Sequence, residues 1–262
     1  MACSKFEYVK AYERNDALLP NTWLVVRIDG HSFHRFTQFH KFAKPNDDRA
    51  LKLANHCAKK VMEEFHDIVL AYGQSDEFSF CFSRYCQLYK RRESKIVTNV
   101  VSLFTSNYVM AWKEFFPDLE LQYAPSFDGR AVLYPTDQNI RDYFSWRQAD
   151  CHINNLYNTV FWCMVLDPNS PKTERETQAI LKDTDSGAKN EILFQQYGIN
   201  YNNLPELYRK GSVLHRKQIQ SIEASATDGS PVVRRRKVVV IEHCDIIGDA
   251  FWTENQILGG SA

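Results

Sequence analysis

Apolar and polar positions alternate in blocks whose periods predict most of the elements. Trp23-Leu-Val-Val-Arg-Ile-Asp29-Gly30 is an apolar, β-branched run that stops at an aspartate and a glycine, the pattern of a buried strand with a carboxylate at its tip. From Ile68 to Tyr72 a second strand rises. Gly73 to Glu77 turns, and Phe78, Phe80 and Phe82 then alternate with Ser79, Cys81 and Ser83 in a half-buried return strand. Between these strands Pro45-Asn-Asp-Asp48 opens a helix, with Ala50, Leu51, Leu53, Ala54, Cys57, Ala58, Val61, Met62 and Phe65 at helical spacing up to about His66. Such a crossover lets the first and second strands be sheet neighbours, so that Asp29 and Asp76 can meet at adjacent tips.

The remaining elements are read in the same way. Ser4 with Glu7 predicts a short amphipathic opening helix through Phe6, Val9 and Tyr12. Segment 31–45 sets Phe33, Phe36 and Phe39 at a helical interval among His31, Ser32, His34, Arg35, Lys41 and Lys44, consistent with a buried face, phosphate contact, or both. Lys90 to Lys95 opens a long helix running to Phe116. Its four cations oppose the helix dipole, so either the terminus is simply solvated or an anion such as phosphate binds there. A strand at 127–134 precedes a helix at about 137–166, in which Gln148, His152, Asn155 and Thr159 align on one face. That polar row fits either RNA recognition or a buried polar contact between helices. Further along come a polar helix at 172–182, a helix opening at Lys189, a polar aromatic loop at 197–203, a basic strand within 208–217, a flexible insertion at 221–231 and a strand at 238–241.

Composition narrows the class. At 262 residues, 44% hydrophobic and 13% aromatic, the chain can bury a large core, which excludes a disordered protein. Thirty-two cationic and thirty-two anionic residues cancel, so a nucleic-acid surface would have to be a local patch. Seven scattered cysteines without a Cys-x-x-Cys pair read as reduced thiols. With no membrane-length apolar run and no signal-peptide core, the expectation is a soluble cytoplasmic or nuclear protein without membrane association.

Two carboxylates on neighbouring strand tips can hold two Mg2+ ions, which activate a hydroxyl and stabilise a leaving pyrophosphate. Because neighbours on an extended chain face opposite sides, Asp76 is expected as the ligand and Glu77 as its support.

Val26-Arg-Ile-Asp-Gly30, Phe42-Ala-Lys-Pro-Asn-Asp47, Tyr72-Gly-Gln-Ser-Asp-Glu-Phe-Ser-Phe80, Ser145-Trp-Arg-Gln-Ala-Asp-Cys-His-Ile-Asn-Asn-Leu-Tyr-Asn-Thr159, Lys189-Asn-Glu-Ile-Leu-Phe194 and Ile199-Asn-Tyr-Asn-Asn203 together resemble the eukaryotic tRNA-histidine guanylyltransferase family, in family order from about residue 4 to 217. The family's Ser-Asp-Glu-Tyr reads Ser-Asp-Glu-Phe78 here, which costs one hydroxyl and no ligand. The resemblance implies an α+β fold: a polymerase-like palm, with a ferredoxin-like antiparallel sheet and helices on one face, plus a helical and mixed C-terminal part. Residues 1–135 would form the catalytic core, and 136–262 would serve tRNA contact and oligomerisation. The implied activity is ATP-dependent activation of the histidine tRNA 5′ end, addition of guanosine from GTP, and removal of pyrophosphate. Asp29, the Gly30 carbonyl and Asp76 would be metal ligands, with Glu77 assisting catalysis. Gly30, His31, Ser32, Phe33, His34, Lys44 and Ser75, with both aspartates, would bind nucleotide. Arg27, Arg92, Lys95, His152, Asn155, Lys189 and Asn202 would meet phosphate or tRNA, and the family implies a homotetramer.

Two other readings use the same residues. A nucleotide cyclase would need both aspartates but not the motifs from 145 to 203, and a non-catalytic tRNA-binding protein would not need both aspartates.

Overall fold

The computed structural model describes residues 4–224 and 231–258. In chain order the strands are β1 (Trp23–Gly30), β2 (Ile68–Gln74), β3 (Glu77–Phe82), β4 (Phe127–Tyr134), β5 (Ser212–Ala224) and β6 (Pro231–Glu242). The helices are α1 (Phe33–Phe39), α2 (Asp48–Glu64), α3 (Glu93–Met110), α4 (Trp112–Phe115), α5 (Asp137–Val165), α6 (Glu174–Leu181), α7 (Ser186–Tyr197), α8 (Glu206–Lys210) and α9 (Asp249–Asn255).

The strands form one antiparallel sheet in the order β4-β1-β3-β2-β5-β6. The expected adjacency of the first two strands is therefore corrected: β3 folds back from the hairpin and lies between them. The acids still converge, because Ile28 pairs with Phe78 and the β2–β3 turn ends beside the tip of β1.

Strand parity decides the packing. Leu24, Val26 and Ile28 face a core completed by α2 and α3, while Trp23 and Val25 face one completed by Ile140, Tyr143 and Phe144 of α5 and by α9. Helices therefore cover both faces, not one. Both parities of β1 are apolar, and a sheet with two apolar faces needs a layer on each. Beyond the sheet, α5 meets α6 and α7 through a third cluster around Leu156, Val160, Leu181 and Leu193.

Several boundaries differ from expectation. The opening segment is a 3-10 helix at Glu7–Tyr12 with no buried residue, and its Phe6, Tyr8 and Tyr12 are exposed. The long helix starts at Glu93, because Tyr89, Lys90 and Arg91 are left-handed, and it breaks at Ala111. The predicted helix at Lys189 opens earlier, at Ser186, where the Asp185 side chain accepts from the Ala188 amide. The late basic strand begins only at Ser212, after α8. Within the expected insertion, 221–224 and 231 belong to the β5–β6 ladder, and 225–230 lie outside the described residues.

Candidate active site

Asp29 and Gly30 end β1, and Asp76 occupies the turn into β3. A side chain at position 30 would not fit: a Cβ there would lie 2.6 Å from Asp76 Oδ2 and 2.6 Å from the Phe33 ring. Glycine thus lets the strand tip approach the carboxylate closely. Strand alternation sends Glu77 the other way, to α5, where Arg147 Nη1 donates to both of its carboxylate oxygens at 3.1 Å.

The carboxylates are strained chiefly by burial and secondarily by neighbouring negative charge. Burial pushes Asp76 up to about 6, and the charges of Asp29 and Glu77 add to the effect. Asp29 is also raised, by burial and then by Asp128, its register partner on β4. Burial likewise raises Glu77, with Arg147 opposing. Among the described residues neither Asp29 nor Asp76 has a basic partner at salt-bridge distance. A site short of positive charge and built from oxygen donors is one a hard cation can complete.

Asp76 opens onto a cavity of about 600 Å³ between the α1–α2 segment and α5, α6 and α8. Ser75, His34 and Lys44 also line it, as does the buried ring of Phe33. Phe33 stacks on Phe36 at 4.9 Å, so its ring belongs to the core, and what it and His34 can offer a phosphate is their first-turn amides. The cradle is narrower than expected, because the His31 amide already donates to the Ser126 carbonyl at 2.8 Å. Ser32 is left-handed and turns the chain into α1. The Lys44 ammonium sits 5.3 Å over the Trp162 ring, its affinity for a proton lowered by burial and partly restored by Glu174. Asp47 anchors the segment. Burial would raise it, but hydrogen bonds from Arg49 and from the Ala43 and Arg49 amides outweigh that and hold it low.

Other candidates lie elsewhere. Arg92 pairs with Asp16 at 3.3 Å and lines a second opening that also holds Gly129, while the Lys95 ammonium lies 5.7 Å over the Tyr89 ring. The anion at the start of α3 is supplied by the chain itself: the Asp16 side chain accepts from the Ser94 amide at 2.8 Å. Those bonds, with Arg92, hold Asp16 down to about 2. Arg91 is buried and donates to the Cys86 and Thr22 carbonyls, so it is structural.

The polar row of α5 is mostly a buried contact. Gln148 donates to the Lys210 and Cys244 carbonyls and accepts from the Ile246 amide, tying α5 to the C-terminal segments. Thr159 bonds its own helix. Asn155 is buried at the cavity wall between Asn46 and Tyr201, each at 3.0 Å. Of the four, His152 alone is exposed; partial burial of its ring, which packs edge-on with Tyr201, and then the charge of Arg209 lower its affinity for a proton. Lys189 bonds the Thr184 carbonyl beside the start of α7, and Asn202 lies exposed in a 3-10 turn at Tyr201–Asn203. Neither lines the cavity.

Sequence reasoning missed Arg147 and Asp150. Arg147 lies 3.5 Å from Asp150, and Asp150 accepts from Gln74 at 3.2 Å, so α5 is bound to both strands of the hairpin. Their signal was an oppositely charged pair three residues apart on one helix.

The family model for tRNAHis guanylyltransferase matches residues 6–135, and a model described as the Thg1 C terminal domain matches 138–248. The chain is 55% identical over 254 residues to a probable tRNA(His) guanylyltransferase of Dictyostelium discoideum, covering 97% of each chain. It is 53% identical over 260 residues to the tRNA(His) guanylyltransferase of Schizosaccharomyces pombe, covering 98% of each. The crystal structure of the Saccharomyces cerevisiae tRNA(His) guanylyltransferase superposes with a TM-score of 0.76 at 49% identity, over 80% of this chain and 93% of that one. A bacterial tRNA(His) guanylyltransferase-like protein in complex with ATP shares the fold, with a TM-score of 0.76 at 23% identity over 98% of this chain and 100% of that one.

Proposed function

The chain belongs to the tRNA-histidine guanylyltransferase family of nucleotidyltransferases, and we propose that its sheet is a polymerase-like palm on which one guanosine is added, 3′ to 5′, to histidine tRNA. Three displacements at phosphorus account for the product. An oxygen of the tRNA 5′-monophosphate attacks the α-phosphorus of ATP and pyrophosphate leaves. The 3′-hydroxyl of GTP then attacks the activated 5′-phosphate, and AMP leaves. Water finally attacks the new 5′-triphosphate, releasing pyrophosphate and leaving a monophosphate.

The observation that carries this reading is the close approach of Gly30 to Asp76, with Asp29 near enough for its charge to act on Asp76, beside a cavity that Asp76 lines together with Ser75, His34 and Lys44. The donor set fits Mg2+. Two carboxylates and the Gly30 carbonyl are hard oxygen ligands, the kind this ion takes. Phosphate and water oxygens would complete the shell, as is usual for this ion. Two Mg2+ ions, when bound, would lower the pKa of the attacking hydroxyl and neutralise the leaving pyrophosphate. The chain's own residues do the rest. Asp29 and Asp76 fix the charge, and Gly30 brings their strands together. Lys44 and Arg27 supply positive charge to phosphates, the first-turn amides of α1 offer donors, and Arg147 holds Glu77 on the α5 side.

Incubation with 5′-monophosphorylated histidine tRNA, ATP, labelled GTP and Mg2+ tests the reading. Label is expected at the tRNA 5′ end, and Asp29→Ala is expected to abolish it while leaving the circular dichroism spectrum unchanged. Incorporation by the variant at the wild-type rate would remove Asp29 from the mechanism.

A further inference from the structure

Trp146 is 54% exposed, although it lies within α5, a helix that buries Ile140, Tyr143, Phe144, Leu156, Val160 and Phe161 against its neighbours. Its orientation is fixed. The Arg147 guanidinium carbon lies over one face of its ring, 3.5 Å from the centroid, and Tyr143 meets it in a T-shaped contact at 6.1 Å. Both supports are anchored to the sheet. The Tyr143 hydroxyl bonds Ser79 at 2.6 Å, and the same Arg147 holds Glu77, one residue from Asp76. With one face covered by the guanidinium, the exposed area belongs to the other face and the ring edge. Ile153, two turns along the helix, is also exposed at 57%.

Packing gives no account of a rigid, open indole at this place. An exposed tryptophan left to solvent forfeits much of its hydrophobic burial, whereas unstacked RNA bases are bound by stacking on aromatic faces. The nearby charge fits the same ligand: Arg27 is the register partner of Ser79, whose hydroxyl bonds the Tyr143 that packs on the indole.

Resting on the proposed function, we propose that Trp146 is the platform on which a terminal nucleobase of the RNA substrate stacks as its 5′ end is brought to Asp29 and Asp76. The Arg147 guanidinium backs the indole and also pairs with Glu77. The base is thereby registered against the carboxylates through one side chain.

The test uses the full chain with Trp146→Ala, Trp146→Leu and Trp146→Phe, measuring KM for 5′-monophosphorylated histidine tRNA and for GTP, the intrinsic fluorescence on adding each, and mass by light scattering. The alanine variant is expected to raise the tRNA KM by roughly 5- to 150-fold, the range of one base–aromatic stack, with the GTP KM changed by less than about twofold. Phenylalanine should restore most of the affinity and leucine should not, because leucine keeps the apolar bulk without a π face. That pair decides the matter even if the alanine variant fails to fold. Equal rescue by leucine and phenylalanine overturns the proposal, as does an unchanged tRNA KM. A rise in the GTP KM alone would place a free nucleotide on the indole, and a change in mass would assign the surface to contact between copies; either overturns the RNA assignment. A wild-type protein that adds no guanosine instead refutes the function on which the proposal rests.

Discussion

Replacing Asp76 with asparagine should make the metal-free protein more stable while abolishing nucleotide transfer. Its carboxyl sits at about 6 instead of 3.8, chiefly through burial and secondarily through Asp29 and Glu77. That rise corresponds to a ceiling of about 3 kcal/mol against the ionised form at neutral pH. The side chain is partly open to solvent, which reduces the expected gain to about 1–2 kcal/mol. Asparagine keeps an Oδ1 acceptor for the Ser75 hydroxyl, now at 2.9 Å, so no hydrogen bond need be lost. For a chain of this size the gain translates to roughly 2–8 °C in Tm. The sign follows from proton binding. Between about pH 4 and 6 the native carboxyl keeps its proton while the unfolded one has released it, so wild-type stability falls as pH rises through that window and levels off above it. Thermal melts in a chelator from about pH 4 to 7.5 should therefore show the variant equal to wild type at the acid end, more stable at the neutral end, and with a shallower slope between. An asparagine variant no more stable than wild type at neutral pH, or equally stabilised at pH 4, would refute the electrostatic strain assigned to this site.

Two further outcomes test the supports of the site. Arg147→Ala should cost about 3–5 kcal/mol in urea unfolding, because it leaves Glu77 buried without its partner; a loss under about 1 kcal/mol would mean that the pair is not held as described. His152→Ala should weaken the tRNA-dependent steps far more than GTP binding, since its exposed imidazole lies on α5 outside the residues that line the cavity. Equal losses in both assays would count against that placement.

What could be read from the sequence was whatever short-range pattern controls. The β1 run and the phenylalanine alternation of β3 are periodic, so both strands and the turn with Asp76 were visible, and alternation alone separated Asp76 from Glu77. The start of α3 was not visible, because Lys90, Arg91 and Arg92 are good helix formers and nothing local shows that Arg91 is bound to the Cys86 and Thr22 carbonyls in a left-handed conformation. The anion at that terminus comes from Asp16, 78 positions away from Ser94. Contacts of that range leave no trace in spacing.

The α5 row shows the same limit at the site itself. Helical periodicity correctly places Gln148, His152, Asn155 and Thr159 on one face, but it does not say what that face meets. Gln148 satisfies three backbone groups of α8 and the C-terminal segment, and a buried amide with its bonds complete has nothing left to offer RNA. One position earlier in the chain the logic reverses. Arg147 is a buried cation whose charge is taken up by Glu77 and Asp150, and its guanidinium packs on the solvent-exposed Trp146 ring. The adjacent residues 146, 147 and 148 therefore serve a recognition surface, the carboxylate cluster and the fold, and this division is set by three different neighbours: solvent, the β2–β3 hairpin and the C-terminal segments. Substituting Gln148 should act on stability, and substituting Trp146 should act on RNA affinity. Arg147 lies between them and should affect both.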